Sequence, residues 1–223
     1  AKVDSIVTFF VGAGCADLNI LNFKEGEIVF KNSVNKEIIF EPFALDFIFS
    51  EYLHLLEKIE AHKDRLIETF ECENACATSD AYKLKPLIKN SRGNNFDNRK
   101  HLKVVNTGSI GKYEPKWGKT EMTYLKDKYL FPIVERDKFL NLFNNSYSAK
   151  SVRPKIIIKG LTLLNACLDA EGEIIPGKTT LIIANEDVEN LKLLLSLINS
   201  NLIFFFIREK YPSSSYNQGF NFT

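Results

Sequence analysis

Cations, amides, hydroxyls and flat rings crowd into residues 106–118, "NTGSIGKYEPKWG". The stretch holds Asn106, Thr107, Ser109, Lys112, Tyr113, Lys116 and Trp117, the only Trp of the chain, and Lys119 follows at once. These residue types suit a polyanion carrying bases. Lysines neutralise phosphates, Asn, Ser and Thr exchange hydrogen bonds with base edges, and aromatic rings stack on bases or wedge into a step. Gly108, Gly111, Gly118 and Pro115 break any helical pattern, so the residues belong to a loop. On this reading Asn106, Thr107, Ser109 and Lys112 face bases, and Lys116 and Lys119 face phosphates. The alternative is a loop in which Tyr113 and Trp117 are anchors packed beneath it and the glycines serve only the turns.

Charge distribution bears on the choice. The whole chain carries only +1, but residues 83–128 hold 12 Lys/Arg against 4 Asp/Glu, whereas residues 1–82 hold 7 against 15. A local cationic field is what a polyphosphate partner needs, and an excess of solvated lysine is the bland equivalent. Hydrophobic content of 45% and charged content of 26% are ordinary for a globular protein. The longest apolar stretch, residues 191–207, is interrupted by Asn199, Ser200 and Asn201, so no membrane span is expected. A start at Ala1 without Met reads as a cut within a longer protein.

Other motifs carry less. "FVGAG" (10–14) has the glycines of a cofactor loop, but "CADLNILNF" after it alternates like a strand and offers no helix N-terminus. "PGKTT" (176–180) looks like the tail of a P-loop, yet lacks its first glycine and precedes the strand-like "LIIA". Lys178 and Thr179, with Thr180, remain suited to a phosphate backbone. Cys15, Cys72, Cys76 and Cys167 have no metal-ligand spacing, and His54, His62 and His101 form no ligand motif. Reduced thiols are expected. No carboxylate–lysine cluster suggests nuclease chemistry. In "KIIIKG", alternation puts Lys155, Ile157 and Lys159 on one strand face, with Lys159 at the end where a long cation can leave the core for a phosphate.

The elements that must position these residues read as follows. "VDSIVTFF" and "LNILNF" suggest a hairpin, and "GEIVFKNS" and "KEIIFEPF" two further strands around "NSVN". Apolar residues recur at helical spacing over 43–69. "NSRGNNFDNRK" is a polar insertion, "HLKVV" a strand, and 135–143 a short helix. "RPKIIIKG" is a buried strand. "LTLLNACLDAEG" and "GKTTLIIANED" read as two strands joined over Gly172 and Gly177. Asp187 caps a helix over 188–198 with Leu191, Leu194, Leu195 and Ile198 as its apolar stripe, and a second helical piece covers 200–209. Without βαβ alternation the class is α+β.

Several of these segments resemble, in order, the TaqI-like specificity domain of adenine-specific DNA methyltransferases. They are "ACATSDAYKLKPLI" (75–88), "VVNTGSIGKYEPKWG" (104–118), "PKIIIKGLTLLNACLDAEGEIIPGKTTLIIA" (154–184), "LKLLLSLINSNLIFFFIREKY" with its Ile198-Asn199-Ser200, and "YPSSSYNQGF". The resemblance covers roughly residues 65–223. It implies a β-rich target recognition domain with a C-terminal helical segment over 71–223, preceded by a linker helix over 43–70. Residues 1–42 are similar to the hairpin that ends the family's catalytic domain. It also implies double-stranded DNA as partner, the catalytic domain of the same chain as a second partner, and a cytoplasmic restriction–modification setting. Thr78 and Ser79 join the DNA-facing set. The family's Asn/Asp-Pro-Pro-aromatic tetrapeptide is absent, so the residues given carry no methyl-transfer site. S-adenosylmethionine then belongs to the parent enzyme, and neither cofactor nor metal to these residues. A type I specificity subunit and a protein-interaction domain without DNA contact are the competing readings.

Overall fold

The computed structural model describes residues 17–24, 27–35, 48, 50–62, 66–91, 96–162, 164–212 and 220–221. It is a mixed α+β fold. Strands β1 (Asp17–Lys24) and β2 (Glu27–Asn35) form an antiparallel hairpin, Asp17 opposite Asn35. "NSVN" is therefore the end of β2 and not a turn between two strands. Residues 1–16 and 36–47 lie outside the described residues, and with them "VDSIVTFF", "FVGAG" and "KEIIFEPF". The helical period over 43–69 resolves into α1 (Leu53–Glu60) and the single turn α2 (Leu66–Thr69). Leu53 and Leu56 of α1 are buried with Ile20 and Val34 of the hairpin, and Phe205 and Phe206 near the chain's end pack on the same cluster.

The next stretch builds one four-stranded sheet and its helices. After the short β3 (Glu73–Asn74) come α3 (Thr78–Leu84), β4 (Lys89–Asn90) and β5 (His101–Val105). The hairpin β6 (Met122–Tyr124) and β7 (Asp127–Tyr129) turns over Leu125 and Lys126, both at positive φ, as a two-residue hairpin turn requires. β8 (Pro132–Glu135) leads into α4 (Arg136–Leu142), at the position the sequence predicts, and into α5 (Ser146–Ser151), which it does not. Asn145 caps α5 by accepting the Tyr147 and Ser148 N–H groups.

A second four-stranded sheet follows. Its strands are β9 (Lys155–Lys159), β11 (Ala166–Asp169) and β13 (Thr180–Ala184), in the order β11-β9-β13-β3 and all antiparallel. The two-residue β10 (Leu161–Thr162) lies between β9 and β11 in the chain. β12 (Ile174–Pro176) leaves this sheet to pair parallel with β5, giving the first sheet the order β12-β5-β8-β4. The expected pair of strands joined over Gly172 and Gly177 is thus replaced. β9 separates β11 from β13, and the chain visits the other sheet between them. Helices α6 (Val188–Ile198) and α7 (Asn201–Lys210) close the fold, capped by Asp187 and Ser200, and β14 (Phe220–Asn221) pairs with β10.

Burial follows strand alternation. Ile156 and Ile158 face α6, where Leu191, Leu194, Leu195 and Ile198 meet them, the stripe expected from sequence. Ile157 faces the other way and packs with Cys167, Val105, Ile174 and Ile110, where the two sheets meet. Leu102, Val104 and Ile175 face Phe139, Phe143 and Tyr147 of α4 and α5. Among the described residues no single helix is long and apolar enough to cross a membrane.

Candidate nucleic-acid interface

Loop 106–118 leaves β5 where the two sheets meet and crosses the Ile157 face of the second sheet. Its ends are fixed by backbone bonds. Lys116 N–H donates to Ser109 O (2.8 Å), Gly111 N–H to Glu114 O (3.1 Å), and Gly118 N–H to Leu130 O (3.0 Å). Gly118 has φ +73, and a Cβ there would meet the Phe131 ring at 2.6 Å, so only glycine fits. Ile110 is fully buried beneath the loop. Tyr113 docks on the outer edge of β11, donating to Ala166 O (2.8 Å) and accepting from Leu168 N–H (3.2 Å).

Several nominated polar residues meet one another. Thr107 Oγ1 donates to the Thr179 carbonyl (2.8 Å) and lies 2.6 Å from Thr179 Oγ1. The Thr179 hydroxyl donates to Asn106 Oδ1 (2.8 Å), and Asn106 Nδ2 donates to Thr123 O (3.2 Å). Ser109 is 1% exposed and its hydroxyl accepts from Asn106 N–H (3.1 Å). Gly177 makes room for this knot, since a Cβ there would stand 2.7 Å from Asn106 Oδ1. The expectation that Asn106, Thr107 and Ser109 read bases therefore meets competing internal bonds. Both ends of the Asn106 amide are engaged and Ser109 is out of reach. Together with Thr179 they fasten the loop to the start of β13.

Trp117 is likewise an anchor. Its indole N–H donates to Pro132 O (2.8 Å), and its ring stands edge-on to Phe96 and Phe131 at 5.7 and 5.2 Å. Lys103 lies over Phe96 at 4.6 Å and also pairs with Glu173. The part played by Phe96 and Phe131 has no local signal in the sequence, because both stand outside the loop they support.

The lysines separate into two groups. Most of the basic segment is neutralised internally: Lys83 by Asp80, Lys85 by Asp127, Lys89 by Glu135, Lys100 by Asp97, Lys128 by Glu121, and Lys119 by Glu114 at 2.9 Å. Among the described residues Lys112, Lys116, Lys159 and Lys178 have no carboxylate partner, and neither do Lys58 on α1 and Lys126 in the β6–β7 turn. Lys112 and Lys116 are exposed in the loop, Lys159 is half-buried at the end of β9, and Lys178 is half-buried just before β13. Burial, and then the charge of Lys116, hold the Lys159 ammonium below the ordinary lysine range. The two cations thus disfavour one another's charge. Gly160 N–H donates to Thr179 O (3.1 Å), which ties the end of β9 to the residue beside Lys178. Lys178 also acts on the Cys76 thiol, which burial pushes up to about 11. Thr78 and Ser79 lie exposed in the first turn of α3, just beyond Cys76.

The motif residues at the end of α6 are structural. Asn199 is 3% exposed, accepts from Ala166 N–H (3.0 Å) and donates to Ala166 O (2.9 Å). Lys155 shares the strand face of Lys159 but is fully buried, paired with Asp169 and donating to the carbonyl oxygens of Ser151 (2.6 Å) and Arg153 (3.2 Å). Asp169 also accepts from Glu173 and Ile174 N–H, which sets the turn toward β12. Among the described residues no cluster of His, Cys, Asp or Glu is arranged to hold a metal ion. No family model matches the chain, and no curated protein matches it.

Proposed function

We propose that these residues form a double-stranded DNA recognition module, the target recognition part of an adenine-specific DNA methyltransferase acting in the cytoplasm. Methyl transfer and S-adenosylmethionine belong to other parts of the parent protein. The observation that carries the DNA reading is a group of four lysines that have no carboxylate partner among the described residues and sit on segments tied together by hydrogen bonds. Lys112, Lys116, Lys159 and Lys178 come from three separate segments, yet Thr107, Thr179 and Gly160 link those segments, and the charge of Lys116 acts on Lys159. Lys119 drops to a minor role because Glu114 neutralises it. The methyltransferase assignment rests on the ordered resemblance of five segments.

The test is fluorescence anisotropy of a labelled duplex across a salt series. Four phosphate contacts give a slope of about −3.6 in log K against log[salt], or roughly a hundredfold loss for a fourfold rise in salt. Lys116→Ala and Lys159→Ala should each flatten the slope by about 0.9, and Lys119→Ala by clearly less. Binding that is absent at low salt, or indifferent to salt, refutes the proposal.

A second reading has one observation in its favour. Leu193 and Leu197, one turn apart on α6, are 62% and 51% exposed, and Leu202 at the start of α7 is 59% exposed. A protein surface docking on these helices would cover them. Salt-independent capture of a catalytic domain by this face, without DNA binding, would favour that reading.

A further inference from the structure

Tyr113 is the one nominated aromatic residue that the fold holds out from the protein. Its φ is +75, a conformation that costs any residue with a Cβ. Its backbone is pinned in this state by Ala166 O on one side and Leu168 N–H on the other. The turn beneath it has no slack, since a Cβ on Gly111 would lie 2.6 Å from Glu114 O. Tyr113 nevertheless remains 49% exposed, and among the described residues Lys112 Nζ, 5.8 Å from its ring centroid, is its one ring or cation partner. Trp117, four residues on, is boxed by two rings and a carbonyl. A residue kept for packing would bury its ring, and Gly would hold this turn without the cost of a Cβ. Tyr113 is neither buried nor a glycine, and it stands between the two unpaired lysines of the loop.

We propose that Tyr113 is a rigidly presented stacking residue for a nucleobase that is unstacked or unpaired within the duplex. The inference rests on the DNA reading given above. Lys112 and Lys116 then hold the flanking phosphates while the ring covers the base. Stacking of one base on an aromatic side chain changes affinity by roughly 5- to 100-fold.

The experiment compares two labelled duplexes of the same sequence, one fully paired and one with a single-base bulge, by anisotropy at low salt. The chain should prefer the bulged duplex. Tyr113→Phe should keep that preference, and Tyr113→Ala should lose about tenfold on the bulged duplex and much less on the paired one. Tyr113→Gly should lose the preference too, while its melting temperature holds or rises, because Gly adopts positive φ freely. Unchanged preference in the Ala and Gly variants overturns the stacking role. So does a Gly variant that melts lower yet binds as before, since that would make the ring structural. Failure of the unmodified chain to bind either duplex would instead remove the DNA reading, and this inference with it.

Discussion

Replacing Asn199 by Ala tests whether the helix-end motif is a clamp. Asn199 closes α6 and grips both polar groups of Ala166 on the outer edge of β11. The two halves of the grip are unequal. The Ala166 carbonyl also receives the Tyr113 N–H, so it keeps a donor when Asn199 is lost. Among the described residues the Ala166 N–H has no other acceptor, so it would be left unpaired in a buried place, which costs about 1–3 kcal/mol. The space left by the removed amide adds roughly 1 kcal/mol. A total of about 2–4 kcal/mol lowers the melting temperature of a chain this size by roughly 5–12 °C. Asn199→Asp separates the terms. A carboxylate still accepts from Ala166 N–H, but its second oxygen faces the Ala166 carbonyl oxygen. Once protonated it can donate there, so folding raises the pKa of this carboxyl. A raised pKa gives stability that is present at low pH and lost as pH rises through it. The Asp variant should therefore approach the unmodified chain in acid and fall behind it near neutrality. Circular dichroism melts at two pH values measure this, and amide exchange at Tyr113 and Leu168 should quicken in the Ala variant. Melts of both variants within about 1 °C of the unmodified chain at neutral pH would refute the clamp.

Three other expectations concern the site and its support. Lys155→Met leaves the Asp169 carboxylate buried without its cation and should cost about 3–5 kcal/mol in urea denaturation. Asp169→Ala should cost at least as much, since it also frees the Glu173 and Ile174 N–H groups that turn the chain between the sheets. Trp117→Phe should lose roughly 1 kcal/mol with the Pro132 hydrogen bond. Because Trp117 is the only Trp, saturating DNA should leave intrinsic Trp emission close to that of the free chain, and strong quenching would show that the ring meets bases. Lys159 has a folded-state pKa below its unfolded value of 10.5. Between those two values the unfolded chain binds more protons, so this residue makes stability rise with pH across that window. Lys159→Gln should abolish the rise in melting temperature. DNA binding, by bringing an anion to Lys159, should take up protons in the same window, which proton-linked calorimetry reads directly.

The parts of the fold legible in the sequence are those where one local rule suffices. In α6, four buried apolar residues at helical spacing and an Asp cap leave no competing structure. In β9, a short apolar run bounded by Pro154 and Gly160 reads as a buried strand, and strand geometry alone then sends Ile157 to the face opposite Ile156 and Ile158. The β6–β7 hairpin was illegible because its turn uses Leu125 and Lys126 at positive φ, where Asn-Gly would be the signal. β12 was illegible for another reason. Its three apolar residues suit either sheet, and only the bend held by Asp169 and Gly172 carries them to β5. The site divides along the same line. Residue types mark loop 106–118 as able to meet DNA, but Asn106 and Thr107 bond to residues more than seventy positions on, at Thr179. Local pattern contains no trace of that partner. Lys116 and Lys119 show the limit most sharply. They stand three residues apart in one loop, with the same chemistry and similar exposure. Glu114 reaches Lys119 at 2.9 Å and has no ion pair with Lys116. Lys116 instead acts electrostatically on Lys159, at the end of β9. Which lysine remains open to a phosphate is decided by which one the folded loop brings within reach of Glu114, so a reading that ranked the two by composition had no means to separate them.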